Sequence, residues 1–234
     1  MIKKLCAPGL AALLVISALA FNSSTNTASA QGAGLVASII NRMERNRTSL
    51  RSLRANITME KWNSQIRDKD DSKGMVIYMP GSGQNSYVRV DWQYPQKEVL
   101  AVADGKYTLY RPRLGMAYEG SANSNRNKVS GVLGFGLNIS RQQLASKFET
   151  QYVGEETLWG DVRTSHLKLV PKGGAGYRHA EIWVDSDGMP VQTKVVEKND
   201  DATTIRLMDV ERNARLSSDE FRLQLDSNVK RVRS

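Results

Sequence analysis

A period of two, interrupted by turn residues and repeated along most of the chain, is the feature that most limits what this sequence can fold into. Ala55, Ile57 and Met59 alternate with Asn56, Thr58 and Glu60. Successive side chains of a strand point to opposite faces, so this spacing predicts a half-buried strand over residues 54–62. The same reasoning predicts strands over 75–79, 86–92, 98–103, 106–110, 116–118, 149–153, 161–171, 179–184, 191–198 and 203–211. Asp104-Gly105 between two of them is a strong hairpin signal. Asp187-Gly188 and Asn199-Asp200-Asp201 are further turns. The run Asp68, Lys69, Asp70, Asp71 reads as a charged turn, and residues 80–83 as another.

Two stretches follow the helical period instead. Leu35, Val36, Ile39, Ile40, Met43, Leu50 and Leu53 fall mostly at three- and four-residue spacings, which predicts a helix over 35–53. Ser140 with Gln143 three residues on is a capping box for a short helix over 140–148. Between the strand groups, Val129, Val132, Leu133, Phe135 and Leu137 are interrupted by Gly131, Gly134 and Gly136. Each interior Gly costs a helix about 1 kcal/mol against Ala, so residues 128–137 read as a weak helix or mobile flap. Residues 217–221 read as a turn or helical start. The expected fold is mainly β: one large antiparallel sheet of about 11 strands that curls around the helices.

The first 30 residues read as an export signal. Lys3 and Lys4 precede an uncharged run from Leu5 to Phe21, and Ala28-Ser29-Ala30 supplies small residues before a cut ahead of Gln31. The run is short for a span of roughly 20 residues. Cys6, the chain's one cysteine, lies too early to be a lipid-modified residue at that cut. The mature domain, residues 31–234, then holds no thiol or disulfide. Losing Lys3 and Lys4 leaves 31 basic against 24 acidic residues, a charge near +7. That charge is spread along the chain and reads as a solvated surface. Nucleic acid is the least expected partner for an exported protein.

The sequence offers little for catalysis. It has two histidines, His166 and His179, both in predicted strands and read as structural. HExxH, GxSxG and P-loop motifs are absent from it. No catalytic residue, metal site or cofactor is expected. What stands out is apolar surface with a few polar points. Tyr78, Tyr87, Trp92, Tyr107 and Tyr110 cluster in the first strands, where they suit either a core or an apolar pocket. Arg89, in phase with Tyr87, suits three roles: holding a flap by its carbonyls, gripping a polar ligand head, or facing solvent.

Several runs together resemble the outer-membrane lipoprotein carrier (LolA-like) family. They are residues 50–55 (LRSLRA), 73–80 (KGMVIYMP), 87–95 (YVRVDWQYP), 100–106 (LAVADGK), 180–190 (AEIWVDSDGMP) and 210–214 (VERNA), with Phe221 beyond. The resemblance covers nearly all of the mature chain. It implies a single, monomeric domain whose half-open barrel and lid shield acyl chains crossing the periplasm. It implies a cavity lined by Ile57, Met59, Ile77, Tyr78, Tyr87, Arg89, Trp92, Leu100 and Val102. Val132, Leu133, Phe135 and Leu137 would form the lid. It implies a lipoprotein or lipid cargo, an inner-membrane releasing complex and an outer-membrane acceptor. The family often carries a basic residue before the second-strand proline, where this chain has Met79. The alternative is a periplasmic sensor or binding domain of the same fold, acting on lipoprotein or protein partners without transport.

Overall fold

A computed structural model describes residues 24–81, 86–122 and 136–233, with side chains from residue 32 onward. Twelve strands form one sheet: β1 (Leu53–Asn63), β2 (Asp68–Pro80), β3 (Ser86–Tyr94), β4 (Glu98–Ala103), β5 (Lys106–Arg111), β6 (Met116–Ser121), β7 (Phe148–Leu158), β8 (Val162–Pro171), β9 (Tyr177–Asp185), β10 (Pro190–Glu197), β11 (Ala202–Arg212) and β12 (Lys230–Arg233). Among the described residues two α-helices accompany them, α1 (Ser24–Ser49) and α2 (Arg141–Lys147). The sheet order is β12-β6-β5-β4-β3-β2-β1-β11-β10-β9-β8-β7, so its two edges, β12 and β7, do not meet. The mainly β antiparallel sheet expected from the alternation, left half-open as the resemblance implied, is the one observed.

The strand count is twelve rather than about eleven. β12 comes from the basic tail, which has no alternating pattern. It pairs parallel with β6, and its side chains stay largely exposed, as Arg231 does while reaching Glu119 at 3.3 Å. Backbone pairing at an edge needs no buried face, so periodicity could not reveal it. β2 also begins earlier than expected. Asp68 to Gly74 is strand, paired with residues 57–63 of β1. The turn lies one step upstream, where Asn63 Oδ1 accepts from the Gln65 and Ile66 amides and Arg67 takes φ +52. This outer half of the hairpin protrudes into water, so charge replaces alternation there; Lys69 meets Glu60 across the strands at 3.0 Å.

α1 is displaced toward the N-terminus relative to the apolar pattern. It begins at Ser24, through small polar residues, and ends at Ser49. Leu53, read as its last residue, is the fully buried first residue of β1. The helix backbone runs unbroken across the Ala30–Gln31 bond. Among the described residues no helix is long and apolar enough to cross a membrane. α2 has the expected capping box: the Gln143 amide donates to Ser140 Oγ, and Gln143 Oε1 accepts from the Ser140 amide.

Strand register aligns the buried residues into rows on one face, here called inner. One row runs Leu53, Tyr78, Val88, Val102, Tyr107 from β1 to β5, and the next Ala55, Val76, Val90, Leu100, Leu109. Through Ile57 opposite Leu207, and Thr193 opposite both Ile205 and Ile182, the same face continues to β8. There Leu167, Leu169, Ala180 and Ile182 pack with Ile39 and Met43 of α1 and Leu144 of α2. The Asp187-Gly188 turn docks against α1. Gly188 has φ +85, and a Cβ would lie 2.3 Å from the Arg42 carbonyl oxygen, so only glycine fits.

Candidate functional site

The inner face over β1–β5 is where most of the predicted cavity residues gather. Ile57, Tyr78, Trp92, Leu100, Val102 and Leu137 all belong to one buried cluster, and Met59 packs against it. All six are less than a tenth exposed, so the face is closed in this structure. Local pattern accounts for their convergence. On each strand they occupy alternate positions, and register stacks them across neighbouring strands.

Ile77, Tyr87 and Arg89 are not in this cluster. Ile77 neighbours Tyr78 in β2, and Tyr87 and Arg89 flank Val88 in β3. Adjacent strand residues cannot share a face, and burial of Tyr78 and Val88 on the inner side sends these three to the other. That outer face is covered by the C-terminal segment. The Phe221 ring, fully buried, lies 5.7 Å from that of Tyr87. Arg89 forms a fork with Asp91, Nε to Oδ2 at 2.9 Å and Nη2 to Oδ1 at 3.0 Å. Its Nη1 donates to the Glu220 carbonyl at 3.0 Å. Of the roles the sequence left open, Arg89 does hold a backbone carbonyl. The carbonyl belongs to the short 3-10 turn Ser218–Phe221, not to a lid. Met79 borders an open groove of about 710 Å³ on this side, beside Arg51 and Arg215.

Val132, Leu133 and Phe135 lie outside the described residues. The described end of that connection is packed. Leu137 is buried, and a Cβ on Gly136 would lie 2.4 Å from Pro190 Cβ. Gly136 is thus a close-approach glycine, whereas its spacing with Gly131 and Gly134 read only as helix weakening. One residue escaped the sequence reading. The Tyr78 hydroxyl is hydrogen-bonded to Asn138 Oδ1, and Asn138 Nδ2 donates to Ser86 Oγ at 3.2 Å. Burial pushes the Tyr78 phenol above its ordinary pKa. These bonds tie the end of the β6–α2 connection to the sheet. No periodicity marks an Asn whose partners lie 52 and 60 residues away.

Both histidines are structural parts of the outer face over β8 and β9. His166 stacks on Trp183 with ring centres 4.1 Å apart. Its Nδ1 meets Glu156 Oε1 and its Nε2 meets Glu181 Oε2, each at 2.9 Å. His179 Nε2 meets Glu181 Oε1 at 3.0 Å, and the Trp183 indole donates to Glu156 Oε2 at 2.6 Å. The indole bond chiefly holds the Glu156 carboxyl below its ordinary range, against desolvation and with help from His166. Among the described residues, no group of three His, Cys, Asp or Glu side chains is placed to hold a metal ion.

Comparison with known proteins agrees with this geometry. No curated protein matches the chain in sequence. Among solved structures, MucB superposes with a TM-score of 0.55 at 16% identity, over 82% of this chain and 63% of that one. The chain therefore spans less than two thirds of MucB. LprF from Mycobacterium bovis superposes with a TM-score of 0.50 at 12% identity, over 80% of this chain and 96% of that one. At such identities the likeness establishes the fold alone. The profile of the outer membrane lipoprotein carrier protein LolA matches residues 85–224. That match covers more than half of the chain, from β3 to the C-terminal turn, and with it the protein belongs to the LolA family.

Proposed function

We propose that this protein is an exported, non-enzymatic carrier that shields the acyl chains of a lipoprotein or another lipid against the inner face of β1–β5. The observation that carries the reading is the pair of apolar rows crossing five strands from Leu53 to Tyr107 and from Ala55 to Leu109. Each CH₂ withdrawn from water contributes roughly 0.8 kcal/mol, so acyl chains cross an aqueous compartment only under cover. The face is shut in this structure, and loading requires the cover to part. The Gly-rich stretch ending at Leu137, tied down by Tyr78 and Asn138, is where the reading places that movement. Release then needs no chemical step.

The reading also takes residues 1–30 as a removed signal and an inner-membrane donor and outer-membrane acceptor as partners. A protein purified from its own periplasm tests it by native mass spectrometry. A co-purifying lipid or acylated peptide is the expected result. A lipid-free protein that captures one folded partner would instead favour a binding or sensing domain of the same fold. Leu133→Glu and Phe135→Glu are expected to abolish lipid retention while circular dichroism stays unchanged. Retention at the native level in both variants would remove the lid from the mechanism.

A further inference from the structure

A second, smaller cleft of about 210 Å³ lies at the opposite end of the inner face, in the seam between α1 and strands β7–β9. Its polar wall is Ser38, Arg42, Glu155, Arg163, Ser165 and Ser186. Arg42 Nη2 donates to Ser165 Oγ at 3.3 Å, while its buried Nε has no hydrogen-bond partner among the described residues. Neither Arg42 nor Arg163 has a carboxylate within ion-pairing distance among the described residues, although thirteen pairs between Lys or Arg and Asp or Glu form elsewhere among them. The acidic group in the wall, Glu155, is already engaged by the hydroxyls of Tyr152 and Ser165, each at 2.9 Å. The carboxylates of the adjoining turn, Asp185 and Asp187, are held by Arg212 at 2.7 and 3.0 Å. Two guanidiniums and three hydroxyls therefore surround one cleft with a single carboxylate among them.

We propose that this seam is a binding site for a phosphate group. A buried N–H left without an acceptor is costly, and the missing partner at Arg42 is an acceptor. Guanidinium forks match the several oxygens of a phosphate, and the Ser38 and Ser186 hydroxyls turn to donate to oxygens that remain, the Ser165 proton being already given to Glu155. The cleft is half open to solvent and has room for several waters. That admits a phosphate with some hydration and excludes a whole lipid. Leu35, Ile39 and Val184 form the other wall, and Leu35 is half exposed. The site so takes a phosphate alone or one carrying an apolar stem. The support is rigid on two sides, because the Gly188 turn abuts the Arg42 carbonyl and Ser165 sits in the middle of β8. This inference does not depend on acyl chains occupying the face over β1–β5.

Isothermal titration of the purified mature domain with inorganic phosphate, and separately with dihexanoyl phosphatidylglycerol, tests it. Arg163→Gln changes an exposed side chain and keeps the fold; Arg42→Gln removes the guanidinium of a half-buried side chain and keeps the first part of its stem. Binding of either probe, weakened at least tenfold in both variants, supports the site. Weakening seen for phosphate alone identifies a free anion, and for the phospholipid alone a headgroup. Absence of binding by both probes, or binding that both variants leave unchanged, overturns it. Phospholipid binding that survives both variants would locate the lipid elsewhere and leave the carrier reading standing while this one falls.

Discussion

Over β7–β9 the inner face lies under α1 and α2, where Ile39, Met43 and Leu144 seal Leu167, Leu169 and Ile182. Over β1–β5 the same alternation builds the same kind of apolar face. There the described residues that cover it are few: Leu50 at the end of α1, Leu137, Ala122 and the tie from Tyr78 to Asn138. Helices bring many side chains in one rigid piece, and their own backbone groups are satisfied internally. A connection held by a few residues and one hydrogen-bonded asparagine opens at far lower cost. A single sequence pattern thus builds a core sealed by helices over β7–β9 and, on the proposed carrier reading, a face over β1–β5 whose cover parts.

The largest expected effect breaks that contrast directly. Leu167→Ala leaves a cavity beneath the helices and should cost toward the upper part of the roughly 2–5 kcal/mol range for buried leucines. Leu100→Ala, on the face whose cover parts in the proposed reading, should fall at its lower end, since such a cover would settle into the space. Urea denaturation of both variants measures the difference. Equal costs would mean that the two faces are closed with equal rigidity.

A smaller effect sharpens the contrast at the cover itself. Tyr78→Phe removes the hydroxyl bonded to Asn138 and keeps the ring. A loss of about 0.5–1.5 kcal/mol is expected, with faster hydrogen exchange confined to the β6–α2 connection and the strands beneath it. Exchange that rises over α1 as well would show that the two covers move together.

The smallest effect separates the halves by pH. Glu44 on α1 accepts from Arg47 at 2.6 Å and from the Arg141 amide of α2 at 3.0 Å, and so links the two helices. The Arg47 bond chiefly lowers its pKa from the ordinary 4.5, burial acting against it. A lowered folded pKa means stability that is present above the unfolded value and lost as pH falls through the folded one. Burial raises the Tyr78 pKa from 10.0, so its contribution is full below that value and is lost as pH rises through the folded one. Glu44→Gln should flatten the acid limb of a stability–pH curve and leave the alkaline limb unchanged. Tyr78→Phe should do the reverse. A single variant that altered both limbs would join the halves electrostatically.

How far the sequence could be read depended on where burial enforced a pattern. Strands β3, β4 and β5 and the four from β8 to β11 start and end within about two residues of the alternation, because one face of each is in the core. The Asp104-Gly105 turn was equally legible, since both residues take positive φ, 53 and 73, which few others tolerate. The outer half of β2 and all of β12 were not, because exposed strands have no face to mark. Of the residues named for the candidate site, Ile57, Tyr78, Trp92, Leu100, Val102 and Leu137 gather in one buried cluster, while Ile77, Tyr87 and Arg89 join the opposite face.

Residue chemistry by itself determined that this chain forms short strands with apolar faces, one capped helix at Ser140 and one longer helix before them. These are local properties, fixed by spacing of two or three to four residues. Tertiary structure decided which of two apolar faces became the inner one. Tyr78 and Ile77 are both apolar enough for burial, and only the strands and helices arriving from elsewhere in the chain chose between them. It also decided that Arg89 would anchor the C-terminal turn, that Gly136 would press on Pro190, and that Arg42 would line a cleft without an ion-pair partner among the described residues. Each depends on a partner between about 50 and 130 residues distant, and no local spacing carries information across such a separation.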